Sequence, residues 1–322
     1  MFSVIMPLYN KAPYVRRAVE SVVEQSFADW ELIVVDDGST DGGAEVVEAF
    51  ADPRIHLHRQ SNAGVGAARN RGVALSGSTA TAAAYLCFLD ADDWWEPTFL
   101  SEVAALIARY PSAGIYCTAY YIVKNQHKRQ APIGVDAHFE EGEIDYCKVY
   151  ARTLCMPVWT GAACMPRAVF DAMGGFPEGI TLGEDFLLWV KTALQYPVVL
   201  LNKPLGNYNQ DADPTYRGTG RLHPPSSNMM WHLDDFAHAE ATNPHYKQLV
   251  DNLRTYSLQQ YILDRRYRDA ARQELAKVDW GRQPGNTRML YNLPVWILKL
   301  RIVFLKTASY VKQWTIKHSH TR

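Results

Sequence analysis

Cysteine is scarce in this chain, and its pattern does not suggest a disulfide network or a zinc site. The five cysteines are an odd number at wide spacings, and no CxxC pair occurs. We therefore expect buried thiols in a reducing compartment, because disulfide frameworks and zinc sites use even or closely spaced cysteines. The cysteines are Cys87, Cys117, Cys147, Cys155 and Cys164.

Long apolar runs and a strong net charge are also missing. No stretch of about 18 uninterrupted apolar residues occurs, so we expect no simple membrane-spanning helix. The first residues, MFSVIMPLYN, lack the basic start and long apolar stretch of a signal peptide, and they are typical of a strand. The formal net charge is -1, which does not indicate a nucleic-acid-binding protein. These absences predict a cytoplasmic protein with no nucleic-acid partner.

The first 120 residues alternate between apolar, β-branched runs and segments with helical spacing. This alternation predicts an α/β fold with a mainly parallel sheet flanked by helices. The runs are continuously apolar, so the sheet should be buried on both faces. Ligands of such sheets bind beyond the carboxyl ends of the strands. The predicted strands are residues 3–8, 31–36, 55–59, 84–90 and 114–123.

The pattern changes beyond residue 124. It becomes less regular up to about residue 220, and a helical, basic segment follows. We place a domain boundary near Arg221, which divides the chain into an α/β domain (1–220) and a helical C-terminal region (221–322).

Three carboxylates lie within four residues at the end of the fourth predicted strand, in FLDADDWW. Asp90, Asp92 and Asp93 would repel one another unless a cation or hydrogen bonds compensate. Carboxylate oxygens suit Mg²⁺ or Mn²⁺, which proteins commonly hold with one or two carboxylates and phosphate oxygens. The alternative is a solvated acidic turn that caps the following helix.

Two further acids end the second predicted strand, in VVDDGSTDGG. The carboxylates of Asp36 and Asp37 can accept hydrogen bonds from a base imide or a ribose hydroxyl. The alternative is a plain turn in which Ser39 or Asp41 caps the next helix.

The segment NAGVGAARNRG is similar to the dinucleotide fingerprint GxGxxG. It follows the third strand rather than the first, it places Arg69 at the last glycine, and no acidic strand end follows at the expected distance. These differences disfavour a dehydrogenase. The guanidinium of Arg69 could instead lie near a nucleotide. The alternative is a helix start whose small residues allow close packing.

The fourth segment, TLGEDFLLWVK, contains an acidic pair just before an apolar helical segment. Glu184 or Asp185 could act as a general base that takes a proton from an attacking hydroxyl. The alternative is that both carboxylates only stabilise the first turn of the helix.

These four segments occur in the order typical of inverting family 2 glycosyltransferases with the GT-A fold. SVIMPLYN and WTGAACMPRAVFDAMGGFPEG also resemble that family, and the resemblance covers about residues 1–220. It implies a GT-A fold and transfer of a sugar, with inversion, from a nucleotide diphosphate donor such as a UDP-sugar. It also implies Mn²⁺ or Mg²⁺ and a role in bacterial surface-polysaccharide synthesis. The QxxRW signature of processive synthases is absent, which favours a single-transfer enzyme.

The resemblance further implies roles for individual residues. Asp185 matches the catalytic base, with Glu184 beside it. Asp92 matches the metal ligand of the DxD motif, and Asp93 is the alternative ligand. The donor would be bound by Pro7, Tyr9, Asn10, Asp36, Asp37, Arg69 and Asp90. A loop that only loosely resembles the family contains Arg217, Arg221 and His223, which could meet the diphosphate or the metal.

The end of the chain, from Thr287, is rich in bulky apolar residues punctuated by Lys and Arg. On a helix from about Pro294, one apolar arc would contain Trp296, Ile297, Leu300, Val303, Phe304, Val311 and Trp314. A basic amphipathic helix suits an anionic bilayer surface. We therefore expect peripheral attachment to the inner face of the cell membrane, where a glycan or lipid-linked glycan acceptor resides. The alternative is a helix packed on the protein or on a second subunit.

Two other functions fit parts of this pattern. A sugar nucleotidylyltransferase also binds a nucleotide on an α/β sheet, but it normally has a Gly-rich, basic loop where this chain has YNKAPY. A non-catalytic nucleotide-sugar-binding protein would not need the full set of acids.

Overall fold

The computed structural model describes residues 1–76, 84–212 and 221–294, together with residues 297, 298 and 300. Its strands are β1 (Phe2–Leu8), β2 (Trp30–Asp36), β3 (Ile55–Arg59), β4 (Tyr85–Phe88), β5 (Trp94–Trp95), β6 (Ile115–Lys124), β7 (His127–Gln130), β8 (Glu141–Ile144), β9 (Ala163–Pro166) and β10 (Val198–Asn209).

The helices of the first 249 residues flank this sheet or follow it in the chain. They are α1 (Ala12–Val23), α2 (Gly43–Glu48), α3 (Val65–Ser76), α4 (Phe99–Arg109), α5 (Tyr146–Thr153), α6 (Arg167–Met173), α7 (Glu184–Ala193) and α8 (Ala237–Thr242). The helices that follow are α9 (Pro244–Ser257), α10 (Gln259–Leu263), α11 (Arg268–Ala276) and α12 (Gly285–Tyr291).

All ten strands named above belong to one sheet, with the order β3-β2-β1-β4-β9-β6-β10-β5. Two short strands lie off this path, because β7 pairs with β6 and β8 pairs with β10. The strands β3, β2, β1 and β4 are parallel to one another and form one block, and β6 and β10 are parallel to each other and form a second block. Between these two parallel blocks, β9 runs antiparallel to both β4 and β6. The carboxyl ends of both blocks therefore lie along the same edge of the sheet.

The structure confirms the predicted α/β fold with a mainly parallel sheet. The strands β1 and β2 are buried on both faces, since every residue of β2 and nearly every residue of β1 is buried, whereas all of β7 is exposed. Each fully buried Val, Leu or Ile contributes about 1.5 to 3 kcal/mol to the hydrophobic stabilisation of such a core. The irregular pattern beyond residue 124 contains four strands that the sequence pattern did not delimit: the short β7 and β8, β9 between the two parallel blocks, and β10, with twelve residues.

Helix α3 packs closely against the sheet at Gly72. A Cβ atom at Gly72 would lie 2.5 Å from Cγ2 of Ile5 on β1 and 3.4 Å from Cγ2 of Val35 on β2. The helix therefore packs on the sheet at a distance that only glycine permits at this position. Close packing, one of the two interpretations of NAGVGAARNRG, is present in the structure.

The chain divides into two compact units, of which the first is Met1–Leu249 and the second begins at Val250. The boundary near Arg221 predicted for the functional domains stays a prediction. The second unit is helical, and its buried residues include Leu253, Ile262 and Leu275. Most of the predicted amphipathic tail lies outside the described residues. Within those residues, no helix has both the length and the apolarity that crossing a membrane requires.

Candidate active site

Polar side chains gather at the carboxyl edge of the parallel strands in the first unit. Asn10 follows β1, Asp36 ends β2, and Asp90 comes two residues after β4. The antiparallel strand β9 has its amino end at this edge, because Cys164 pairs with Cys87 near the carboxyl end of β4. A short 3₁₀ turn, Thr160–Ala162, leads into β9 and therefore lies at the same edge.

The end of β1 is tied to the turn after β2. Asn10 has a left-handed backbone with φ of 50°, and its side-chain oxygen accepts a hydrogen bond of 2.9 Å from the Thr40 amide. The Asn10 amide in turn donates to the Ser39 hydroxyl at 3.1 Å. Pro7 lies within β1 opposite Val35, and Tyr9 leaves 37% of its surface exposed. Pro7 is therefore near the carboxyl end of β1, and Tyr9 and Asn10 directly follow that strand.

Asp36 and Asp37, the two acids at the end of β2, are both buried, and each has its own contacts. Asp36 accepts a hydrogen bond of 3.0 Å from the Ser39 amide. Asp37 accepts three hydrogen bonds, from the Gln60 side chain and from the amides of Ala63 and Gly64, at 2.8 to 2.9 Å. The Asp37 carboxylate therefore fixes the loop between β3 and α3 against the end of β2.

Asp41 supplies the helix-start contact that the alternative interpretation of this segment expected. Its two carboxylate oxygens accept hydrogen bonds from the amides of Gly43, at 3.0 Å, and Ala12, at 2.8 Å. One side chain thus satisfies an amide in the first turns of both α1 and α2.

The three acids of FLDADDWW have three different surroundings. Asp90 is paired with Arg69, Asp92 is paired with Lys11, and Asp93 is buried, where it accepts a hydrogen bond of 2.7 Å from the Asn209 amide. None of the three caps the next helix, because α4 begins at Phe99, with Thr98 as its N-cap residue. The simple capping interpretation therefore does not account for this acidic run.

The surroundings of Asp92 suit a cation. Its carboxylate lies 2.7 Å from the ammonium nitrogen of Lys11, and both side chains are largely buried, with 14% and 12% of their surfaces exposed. The position therefore already attracts positive charge, and carboxylate oxygens are ligands that Mg²⁺ and Mn²⁺ prefer. In the described part of the chain, no group of three or more His, Cys, Asp or Glu side chains is placed to hold a metal ion. A cation on Asp92 would therefore need phosphate or water oxygens as further ligands.

Arg69 connects two of the acidic motifs. Its side chain is only 4% exposed, and its two terminal nitrogens donate hydrogen bonds to Asp90 at 2.7 Å and to Glu184 at 3.0 Å. Glu184 lies 115 residues further along the chain, at the start of α7. The guanidinium also lies 5.1 Å from the centroid of the Phe176 ring. This one residue thus brings the end of β4 and the start of α7 together.

The charges around Arg69 shift the pKa values of two groups, Arg69 itself and Glu184. Burial alone would lower the pKa of Arg69, but Asp90, Glu184 and Asp185 outweigh burial and raise the pKa above its ordinary value. Burial, helped by the charge of Asp185, raises the pKa of Glu184 to about 7, although Arg69 opposes the shift. Arg69 therefore stays charged, whereas Glu184 changes its protonation near neutral pH.

Asp185 is more accessible than Glu184. One of its carboxylate oxygens accepts a hydrogen bond of 2.7 Å from the Phe186 amide, and the other accepts one of 3.0 Å from the Thr160 hydroxyl. Helix α7 begins after Gly183, whose φ of 85° is left-handed and favours glycine. The two acids therefore do occupy the first turn of a helix, as one interpretation proposed, but Asp185 is also held by a side chain from a distant turn.

Of the three residues named in the loop that only loosely resembles the family, the structure describes two, Arg221 and His223. His223 is buried, and its Nδ1 lies 2.7 Å from the Thr181 hydroxyl. Arg221 is exposed. Arg217 lies outside the described residues.

Sequence reasoning did not single out Lys11 or Thr160. Lys11 directly follows the YN pair of the first strand end, so its position in YNKAPY was the available signal. Thr160 stands in the WTG of a segment that resembles the family, but no property of the sequence alone joins it to Asp185, 25 residues away.

The comparisons with known proteins point to one family. The family model described as "Glycosyl transferase family 2" matches residues 3–173, which is just over half of the chain. Glycosyltransferase GlyA of Streptococcus pneumoniae is 38% identical over 122 residues, which are 37% of this chain and 16% of GlyA. The putative teichuronic acid biosynthesis glycosyltransferase TuaG of Bacillus subtilis is 38% identical over 105 residues, which are 32% of this chain and 40% of TuaG. The matched segment thus spans less than half of the length of either relative.

Solved structures agree with the fold. Residues 1–349 of S. aureus TarS, in a crystal structure with UDP-GlcNAc, superpose with a TM-score of 0.68 over 86% of this chain and 79% of that one. At 19% sequence identity, this likeness concerns the fold alone. The family match and the shared architecture lead to one conclusion: the chain belongs to glycosyl transferase family 2, with the GT-A fold that its motifs predict.

Proposed function

We propose that this protein is an inverting glycosyltransferase that moves a sugar from a UDP-sugar to an acceptor hydroxyl. The observation that carries the proposal is the buried Arg69, which joins Asp90 to Glu184 and so sets the acidic motif after β4 beside Asp185. A diphosphate-binding strand end and a general base must lie side by side for such a transfer, because the acceptor attacks the carbon that carries the diphosphate.

The donor is assigned to the edge formed by the ends of β1, β2 and β4. TarS was crystallised with UDP-GlcNAc and with UDP, which supports a uridine diphosphate donor. The residues assigned to the nucleotide sugar are Pro7, Tyr9, Asn10, Asp36, Asp37, Arg69 and Asp90. Asp37 and Asp90 act here through carboxylates that are already oriented by the loop amides and by Arg69.

A divalent cation, Mn²⁺ or Mg²⁺, is assigned to Asp92, with Asp93 as the second candidate ligand. Bound there, the cation would supply positive charge for the diphosphate as it leaves. Asp92 suits this role better than Asp93, because Asp93 is buried and accepts a hydrogen bond from the end of β10. Lys11 lies beside the same carboxylate and would contribute further positive charge.

Asp185 is assigned as the general base. Its carboxylate takes the proton of the acceptor hydroxyl while that oxygen bonds to the anomeric carbon, and the bond from this carbon to the diphosphate oxygen breaks. Attack from the face opposite the diphosphate inverts the configuration. Arg69 and Glu184 position the neighbouring groups, and Glu184 is the alternative base.

The acceptor is assigned as a glycan or a lipid-linked glycan in bacterial surface-polysaccharide synthesis. TuaG is described as a teichuronic acid biosynthesis enzyme, which supports this class of product. The basic, apolar segment from Thr287 supports peripheral attachment to the cytoplasmic face of the membrane, where such an acceptor is available.

Two alternatives lead to different measurements. A non-catalytic nucleotide-sugar-binding protein would bind UDP without turnover, and a sugar nucleotidylyltransferase would form a nucleotide sugar from a nucleoside triphosphate. The retained acids favour transfer over mere binding, and the segment YNKAPY after β1 lacks the Gly-rich, basic loop of a nucleotidylyltransferase.

The test is a panel of nucleotide sugars incubated with Mn²⁺ or Mg²⁺, in which release of the nucleoside diphosphate is measured with water as the acceptor. We expect metal-dependent release of UDP from at least one UDP-sugar. Full activity after divalent cations have been thoroughly chelated would show that the reaction does not need the proposed metal ion. UDP binding without any turnover would favour the non-catalytic alternative.

Membrane attachment has its own test. Full-length protein should sediment with liposomes that contain anionic lipid at low salt, and it should dissociate as the salt concentration rises. If the protein does not bind such liposomes at low salt, the alternative of a helix packed on the protein or on a second subunit is favoured.

A further inference from the structure

The Thr160 hydroxyl has two neighbours that fix its direction. Thr160 is 2% exposed, and its Oγ1 atom lies 3.2 Å from Nε1 of Trp189 and 3.0 Å from Oδ2 of Asp185. The indole nitrogen of Trp189 can only donate a hydrogen bond, and a carboxylate can only accept one. The Thr160 oxygen therefore accepts from Trp189, and its single hydrogen points at Asp185.

The turn that contains Thr160 is itself held rigidly. The Trp95 indole donates a hydrogen bond of 2.6 Å to the Gly161 carbonyl. A Cβ atom at Gly161 would lie 2.5 Å from the Trp159 ring, and one at Gly206 would lie 2.8 Å from the same ring. Thr160 thus belongs to a tightly packed turn at the carboxyl edge, directly before the central strand β9.

The Asp185 carboxylate is consequently fixed at both oxygens. Oδ1 accepts from the Phe186 amide, and Oδ2 accepts from Thr160. Each oxygen can accept a second hydrogen bond, so the carboxylate keeps the capacity to receive an acceptor hydroxyl. Hydrogen bonds that prevent rotation of a base preorganise it for proton transfer.

We propose that Thr160, oriented by Trp189, is the positioning residue for the general base Asp185. The proposal rests on the assignment of Asp185 as that base. The ionisable groups that face Asp185 are Glu184 on the same helix, Arg69 on α3, and Tyr146 and Tyr150 on α5. Among the described residues, Thr160 is the side chain that donates a hydrogen bond to the Asp185 carboxylate.

The experiment compares Thr160→Val with Thr160→Ser. The probe is whichever of UDP-glucose, UDP-galactose and UDP-N-acetylglucosamine the wild type hydrolyses fastest. Valine keeps the shape and removes the hydroxyl, so kcat should fall about tenfold to a hundredfold, as expected for the loss of one hydrogen bond to a charged group. The affinity for UDP, measured by calorimetry, and KM for the donor should change little, because Thr160 belongs to the base side of the site. Serine keeps the hydroxyl and should restore kcat to within about threefold.

A double-mutant comparison separates positioning from a general structural effect. In an Asp185→Asn background, Thr160→Val should lower the residual rate by less than about twofold, because its target is no longer a base. If Thr160→Val fails to bind UDP, Thr160→Cys replaces it; the thiol is a weak donor, so kcat should fall at least about fivefold.

Each result leads to a decision. A Thr160→Val or Thr160→Cys enzyme with wild-type kcat would overturn the positioning role alone, and so would a serine variant as slow as valine. An undiminished valine effect in the Asp185→Asn background would also overturn it. A wild-type protein without turnover on any of these donors would instead overturn the proposed function, and the role of Thr160 with it.

Discussion

The two sides of the candidate site are held together differently. On the proposed nucleotide side (residues 7–64), Asn10, Asp36 and Asp37 accept hydrogen bonds mostly from backbone amides of neighbouring loops. On the base side (residues 160–189), Asp185 receives a hydroxyl from Thr160, and Glu184 receives a guanidinium from Arg69. Loop backbones shape one side, and side chains from distant elements shape the other.

This difference affects how each side should respond to substitution. A carboxylate that accepts hydrogen bonds from several backbone amides holds a loop in place, so its loss should lower the affinity for the nucleotide. The Asp185 carboxylate, held by one hydroxyl and one backbone amide, has a fixed direction but does not hold a loop in place. Its loss should therefore lower turnover and leave binding intact. The following variants test this distinction in order of expected effect.

The largest effect is expected for Asp185→Asn. This change removes the proposed base and keeps its shape, so turnover should fall about a hundredfold to ten-thousandfold while the affinity for UDP is retained. Initial rates of UDP release and calorimetry with UDP provide the two measurements. Asp171→Asn, an exposed acid on α6, is the matched control. Near wild-type turnover would move the base role to Glu184.

Asp92→Ala should be the next largest. Loss of the proposed metal ligand should lower turnover about a hundredfold or more, because charge on the departing diphosphate is then poorly stabilised. The protein should still fold, since Asp92 lies at the sheet edge. Binding of Mn²⁺ in the presence of UDP, followed by electron paramagnetic resonance, should weaken in the same variant. Unchanged Mn²⁺ binding would reassign the metal to Asp93 or elsewhere.

Asp37→Asn tests the nucleotide side directly. The amide group places a donor against amides that need an acceptor, which should cost about 1 to 3 kcal/mol of folding free energy. The loop that begins at Gln60 should loosen, and the affinity for UDP should fall about tenfold, whereas turnover at saturating donor should change less. A loss confined to turnover would contradict the distinction between the two sides.

The smallest effect concerns the pH dependence of stability. Burial and Asp185 raise the pKa of Glu184 to about 7 in the folded protein. The folded state therefore holds this proton more tightly than the unfolded state does, so the contribution of Glu184 to stability falls as the pH rises from about 4.5 to about 7. Glu184→Gln removes this titration, and the free energy of unfolding of the variant should gain about 1 to 3 kcal/mol relative to the wild type across that range.

Denaturant melts of both proteins at pH 5 and pH 8 provide the measurement. The difference between variant and wild type should become more positive at pH 8. A constant difference would mean that Glu184 has the same protonation in the folded and unfolded states.

The nucleotide side was also the easier side to predict from the sequence. Its strands have continuous apolar runs, and its acids stand at their ends, so both the parallel sheet and the placement of Asp36 and Asp37 at its carboxyl edge follow from the local pattern. The base side depends on contacts over long separations, such as the 115 residues between Arg69 and Glu184. The strands β9 and β10 lie in the less regular half of the sequence, where no simple period indicated their pairing.

Lys11 illustrates the same limit. Its neighbour Asp92 is 81 residues away, so nothing in YNKAPY indicates the ion pair. The segment showed only that a cation follows the first strand, and the fold alone places that cation on the acidic motif.

The reversed strand β9 has a consequence for how this site can vary. In a uniformly parallel sheet, every loop that begins at the carboxyl edge follows a strand in the chain. Because β9 runs the other way, the chain arrives at this edge through Thr160 and then enters the middle of the sheet. Residues inserted between α5 and this turn would enlarge the wall near Asp185 and leave the register of β1, β2 and β4 unchanged. Insertions before Thr160 could therefore alter the surroundings of Asp185, the proposed base, without changing the strand ends at which the nucleotide is proposed to bind.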